Sequence, residues 1–335
     1  MGSASAKPLV SVRSLGGTVA MTSGDGHGAT PTLDAAALLA AIPGLDSVAT
    51  LDVESWSSIP SASLRIEELI QYVDGLAKAC ESGAVGVVLT TGTDSMEEVA
   101  YLLDLLWQRP EPVVVTGAMR AADAPGADGP ANLLAAVVVA SSPAARDQGC
   151  LVVMNDEVHE ASAVRKLHTT SPSAFGSPTS GPAGRVHEGR LLLTRPCLSR
   201  ATFRLPPPGT RVPRVALLRV SLGDDATLLR KAVEVYDGVV VEALGGGHVP
   251  TWWAQLLIDS ARQKPIVLAS RTGAGPLLRC TYGFSGSERH LLDGGLVSAG
   301  SLDGLKARIL LTVVLMLDPE SVATHFPGPP GTVEP

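Results

Sequence analysis

No stretch of this chain offers the roughly 18 uninterrupted apolar residues that a bilayer-spanning helix needs. Its greasiest run, residues 309–317, is far shorter and suits a buried helix. The opening MGSASAKPLVSVRSLGG is broken by Arg13 and lacks a long apolar core with a small-residue cleavage site, so it does not read as a secretory signal, and a cytoplasmic protein is expected. Basic charge is also short: 26 Lys and Arg stand against 33 Asp and Glu, scattered rather than clustered, for a net charge of -7. Such a chain has no field with which to neutralise phosphates, which argues against nucleic acid as a partner. There are only 4 cysteines, Cys80, Cys150, Cys197 and Cys280, and no two form a CxxC pair. That spacing fits reduced thiols in a core better than zinc or a disulfide framework, and no structural metal is expected.

What the chain has is apolar side chain to bury, 45% of its 335 residues, with only 18% charged. That length favours two domains. Short apolar runs at 9–15, 85–90, 113–116 and 151–155, then at 215–220, 239–244 and 266–270, are each followed by a Gly-rich or polar turn. Segments of helical spacing lie between them, which is the pattern of parallel α/β units. Met96, Val99, Ala100, Leu103, Leu106 and Trp107 share one helical face, ended by Pro110, and residues 305–317 read as a second helix. Residues 195–214 lose the βα pattern to Pro and Arg, so they are expected to link a first domain, 1–194, to a second, 215–335. The expected fold is α/β: a larger N-terminal doubly wound, mainly parallel sheet domain and a smaller C-terminal α/β domain.

In open α/β sheets the ligand lies beyond the carboxyl ends of the strands. There the first run leads into Gly16, Gly17 and Thr18, the second into Thr91, Gly92, Thr93 and Asp94, and the third into Gly117, Ala118, Met119 and Arg120. Two hydroxyls and a carboxylate thus reach one edge. A threonine hydroxyl is a weak nucleophile at neutral pH and needs a neighbouring base or cation, which Asp94 and a lysine can supply. Residues 93–98 read equally well as a helix start, because Asp94 with Glu97 and Ser95 with Glu98 have capping-box spacing. Arg120 is expected to order its loop through an ion pair. His159-Glu160 lacks the second histidine of a zinc site, residues 283–287 lack the last glycine of a nucleophile elbow, and residues 245–247 lack the Lys-Ser/Thr of a phosphate loop.

The ordered runs LGGTVA, LTTGTDSMEEVAYLLD, VVVTGAMR, DGPANLLAAV, VVMNDEVHEASAVRKLHTT and KARILL resemble the signature segments of the L-asparaginase family of threonine amidohydrolases. The resemblance implies hydrolysis of the asparagine side-chain amide to aspartate and ammonia through an acyl-threonine intermediate, without a cofactor. It implies that Thr18 is the nucleophile, that Thr93, Asp94 and Lys166 form a second catalytic group, and that Asp94 also holds the substrate amino group. It places Ser61 on the substrate carboxylate, and His248 and Glu288 near positions that reach the substrate of a neighbouring subunit in a dimer or tetramer. The chain departs from the family at Ala62, where many members carry glutamine, and in the loop after Thr18, which has no tyrosine. Asp25 and His27 in that loop read as solvated residues. Relatives acting on charged tRNA carry an additional N-terminal domain, so that activity is not expected. The rivals are an amidase for glutamine or another small amide, and a non-catalytic amino-acid-binding protein.

Overall fold

Each apolar run expected as a strand forms one in the computed structural model, which describes residues 6–18, 21–23, 29–31, 39, 42–196 and 200–326. Contacts divide the chain into two units, Met1–Leu205 and Pro206–Pro335. In the first unit the strands are β1 (Leu9–Ser14), β2 (Met21–Ser23), β3 (Ala29–Pro31), β4 (Thr50–Ser55), β5 (Gly86–Thr90), β6 (Val113–Thr116), β7 (Cys150–Met154), β8 (Glu157–Glu160), β9 (Arg165–Lys166), β10 (Phe175–Gly176), β11 (Gly184–His187) and β12 (Arg190–Leu193). Eight of them make one sheet in the order β12-β11-β8-β7-β6-β5-β1-β4. β4, β1, β5, β6 and β7 are parallel, while β8, β11 and β12 extend the sheet antiparallel.

Side chains alternate across a strand, so the sheet has two faces to cover. Val10, Val12, Val88, Val114, Leu151 and Val153 pack with Leu133, Ala136, Val137 and Ala140 of the helix Gly129–Ser141. The intervening Val87, Leu89, Val113, Val115 and Val152 are equally buried and face the other way, under the helices Ile66–Glu81 and Met96–Leu106. Both faces are therefore covered, which is why these strands read as continuous apolar runs. The chain leaves β1 for β4 on one side and returns to β5 on the other, so strand order reverses beside β1. A crevice beyond the carboxyl ends of β1 and β5 follows from that reversal.

The antiparallel extension starts at a two-residue turn, with Met154 opposite Glu157 and both Asn155 (φ 53°) and Asp156 (φ 60°) left-handed. Asn and Asp tolerate that conformation, and the turn suits a tight hairpin. Residues just before Leu205 are tied into the first unit: Phe203 N–H donates to Leu105 O at 2.7 Å and Arg200 Nη1 to Asp104 Oδ1 at 2.7 Å. The division between the units therefore falls inside the stretch 195–214.

The second unit has β13 (Val215–Arg219), β14 (Gly238–Ala243), β15 (Ile266–Ser270) and β16 (Val297–Ser298), parallel and adjacent in that order. The helix Gly304–Leu317 packs on β13, β14 and β15. Leu229, Trp253, Leu257 and Leu291 fill a core with Val239, Val241, Ile266 and Leu268. Cys80 and Cys150 are buried thiols as expected, whereas Cys280 is exposed and Cys197 lies outside the described residues.

Candidate active site

Three strand ends meet because glycines let their backbones touch. Gly17, at φ 95°, packs so closely that a Cβ there would fall 2.5 Å from the Gly92 amide nitrogen. Only glycine is at ease at that φ, and only glycine fits that space. Gly92 in turn leaves room for Ser61: a Cβ on it would lie 2.6 Å from Ser61 Oγ. A Cβ on Gly117 would lie 2.5 Å from Thr91 O and 3.6 Å from the Thr93 methyl. The loops after β1, β5 and β6 thus share one small region at the strand-order reversal.

Thr18 follows Gly17 directly and is half-buried. Thr93 is buried, and its Oγ1 accepts from Lys166 Nζ at 2.9 Å. The same Nζ donates to Asp94 Oδ1 at 2.7 Å. Lys166 comes from β9, on a two-strand ribbon with β10 that lies outside the main sheet. Its side chain is 16% exposed and that of Asp94 73%. A mostly buried ammonium therefore bridges a buried hydroxyl and a carboxylate open to solvent, and Thr93 Oγ1 and Lys166 Nζ are within proton-transfer reach.

The helix start expected at 93–98 is present, but its side chains are not spent on capping. Ser95 occupies the N-cap position of Met96–Leu106 without a side-chain cap, and its hydroxyl donates to Ser61 O at 2.8 Å. Asp94 is engaged by Lys166. Ser61, buried in a short 3-10 turn (Ser61–Ser63), is thereby pinned beside Gly92 and the helix start.

The loop after β6 is held by two residues to which the sequence pattern assigned no role. Asp128 accepts from Met119 N–H (3.0 Å to Oδ2) and Arg120 N–H (2.9 Å to Oδ1). Asn132 Nδ2 donates to Gly117 O at 3.0 Å, and its Oδ1 accepts from Asn155 N–H at 2.9 Å. The signal for Asp128 was present: an Asp-Gly-Pro helix start is a place for a carboxylate to meet loop amides. Arg120 Nη1 donates to the Gly126 carbonyl of its own loop at 2.9 Å, and among the described residues no ion pair of Arg120 is found.

His248 and Glu288 lie in the second unit and meet each other. His248 follows β14 and Gly245–Gly247, and its Nε2 sits 3.2 Å from Glu288 Oε2. Glu288 is fully buried. Its Oε1 accepts from Thr281 and Tyr282 N–H, both at 2.8 Å. Burial pushes its pKa up, but those amides and the neighbouring imidazole outweigh burial and hold it below the ordinary value. Tyr282 and Phe284 flank the His248 ring edge-on, at 4.8 and 5.1 Å between centroids. Asp25 and His27 lie outside the described residues.

An asparaginase N-terminal family model matches residues 9–197, and a glutaminase/asparaginase C-terminal domain model matches residues 214–326. The chain belongs to the asparaginase family. It is 37% identical to a probable L-asparaginase of Deinococcus radiodurans, over 92% of this chain and 94% of that protein. With L-asparaginase 2 of Escherichia coli the identity is 31%, over 97% and 94% of the two chains. The crystal structure of a probable cytoplasmic L-asparaginase from Campylobacter jejuni superposes with a TM-score of 0.85 at 29% identity, over 96% of this chain and 99% of that one. Among the described residues of this family member, no helix is long and apolar enough to cross a membrane.

Proposed function

We propose that this protein is an L-asparagine amidohydrolase, releasing aspartate and ammonia. The observation that carries the reading is Lys166 Nζ lying between Thr93 Oγ1 and Asp94 Oδ1 at 2.9 and 2.7 Å, beside the glycine contact that brings Thr18 to the same strand-end cluster. The proposed first step is attack of the Thr18 hydroxyl on the side-chain amide carbon. The C–N bond breaks as the leaving nitrogen takes the proton given up by the Thr18 hydroxyl, and ammonia departs from an acyl-threonine. Water then adds to that ester, its proton relayed through the Thr93 hydroxyl that Lys166 Nζ holds, and the C–O bond to Thr18 breaks as the threonine oxygen takes up that proton, freeing aspartate. Lys166 serves the proton transfers, and Asp94 keeps it in place and receives the substrate ammonium group on its exposed side. Ser61 binds the substrate carboxylate. The acyl oxyanion is met by backbone N–H groups near Thr93, the preorganised donors that acyl transfer needs.

No cofactor enters this scheme. The assembly proposed with it is a homo-oligomer, a dimer or tetramer, in which the second unit of one copy supplies His248 to the site of another. Cytoplasmic placement belongs to the same proposal, supported by the likeness to the structure of a probable cytoplasmic L-asparaginase. The test is ammonia release by the purified, folded protein from L-asparagine, L-glutamine and a panel of small amides. Asparagine is expected to be the preferred substrate. Release from another amide only would replace the substrate assignment, and asparagine-induced thermal stabilisation without turnover would establish a binding protein instead.

A further inference from the structure

We infer that Glu97 is a positioning residue that sets where Lys166 presents its amine. Lys166 reaches Thr93 from 73 residues away in sequence, on a ribbon of two-residue strands, β9 and β10. So short a pairing is a weak register for a group that must sit within hydrogen-bond reach of a hydroxyl. Within the ribbon, Leu167 N–H donates to Ala174 O at 2.7 Å. The Lys166 N–H instead donates to Glu97 Oε1 at 3.2 Å. Glu97 is buried, 5% exposed, in the first turn of Met96–Leu106, the helix that begins just after Thr93 and Asp94. One helix start therefore fixes both sides of the contact. Its leading residues carry the hydroxyl and carboxylate, and its first-turn carboxylate grips the backbone of the lysine that meets them. A carboxylate there is also favoured by the helix N-terminus.

This inference rests on the reading of Lys166 as the group that serves Thr93, and it makes a distinction that general stabilisation would not. The need is for an acceptor at the length of a glutamate side chain, since charge alone does not hold an N–H. Glu97→Gln keeps reach and acceptor and loses charge; Glu97→Asp keeps charge and loses reach; Glu97→Ala loses both. On the full-length protein, Glu97→Gln is expected to keep kcat within about 3-fold, and Glu97→Asp and Glu97→Ala to lose about 100-fold with KM little changed, the scale of a 1 Å misplacement. Amide hydrogen exchange, followed at Lys166 without substrate, is expected to show protection in wild type and Glu97→Gln and faster exchange in Glu97→Asp. Exchange at Lys166 that is the same in all variants overturns the inference, as does a Glu97→Asp protein as active as wild type. A Glu97→Gln protein as impaired as Glu97→Asp also overturns it, because charge would then be the requirement. If wild type hydrolyses none of the amides, the proposed function fails, while exchange at Lys166 still decides whether Glu97 holds it.

Discussion

At the scale of single residues, the Lys166–Asp94 ion pair of the candidate site is badly built for stability, and its geometry suits the proposed proton transfer. Asp94 is 73% exposed and Lys166 16%, and solvent on the carboxylate side screens the pair to a contribution of about 0–1 kcal/mol. Lys166→Met keeps the side-chain length and removes the amine, so its melting temperature is expected to stay near wild type. Its turnover is expected to fall about 10²–10⁴-fold, the usual contribution of a positioned acid–base group. Melting and ammonia-release measurements on the same preparation check both halves. Retained turnover would mean that Lys166 only balances Asp94. His159 presents the opposite case, a titratable group away from that chemistry that matters to stability. It is fully buried in β8, with Nδ1 3.0 Å from Ser177 Oγ. Burial is the largest cause of a pKa lowered from 6.5 to about 4, against a smaller opposing pull from Glu157. Between those two values the unfolded chain binds the proton that the folded one refuses, so stability rises with pH across that window. Contributing fully above about pH 6.5, this residue loses on the order of 3 kcal/mol as pH falls through about 4. Denaturant melts at pH 7 and pH 4.5 should show a smaller acid loss for His159→Gln than for wild type.

At the scale of elements, the site depends on backbones that approach too closely for any side chain between them. Gly17→Ala asks for a left-handed alanine with its Cβ 2.5 Å from the Gly92 nitrogen, and the φ alone costs about 1–2 kcal/mol. The outcome expected is a folded but less stable protein that has lost most of its turnover, because separating β1 from β5 moves Thr18 away from Thr93. Undiminished turnover in Gly17→Ala would show that the two ends need not touch. The same elements explain what was legible beforehand. Strands buried on both faces announce themselves as apolar runs, so β1, β5, β6 and β7 are legible, the first three with the residues that follow them. β4 alternates and is largely exposed at the sheet edge, so it carried no continuous signal. β8, β11 and β12 are short and mix charge with apolar residues, and their place depends on a hairpin turn rather than on periodicity. Lys166 was recognisable from its motif, but a two-residue strand has no pattern to show what holds it. The Asp94–Glu97 spacing looked like a cap, and both side chains turned out to reach Lys166, one at its amine and one at its backbone.

At the scale of the whole molecule, the residues proposed to carry the function are unevenly divided. Thr18, Ser61, Thr93, Asp94 and Lys166 belong to the first unit, and His248 and Glu288 to the second. Glu288 has both oxygens occupied within its own unit, Oε1 by Thr281 and Tyr282 and Oε2 by His248. What this pair can present to a ligand is therefore His248, whose side chain is 23% exposed while that of Glu288 is closed off. If His248 serves another copy's site, as proposed, defects in the two units must complement each other. Thr93→Ala and His248→Ala are each expected to be nearly inactive alone. In a hybrid dimer one site inherits both defects and the other inherits neither. Dissociating and reassembling an equal mixture yields hybrids for half of the dimers, so about a quarter of the wild-type activity should return. That recovery must fall away if the two proteins are mixed without dissociation. A mixture that stays inactive after reassembly, with hybrids confirmed by native mass spectrometry, would mean that each chain completes its own site. A His248→Ala protein with full turnover would mean that the histidine serves the Tyr282–Phe284 loop alone.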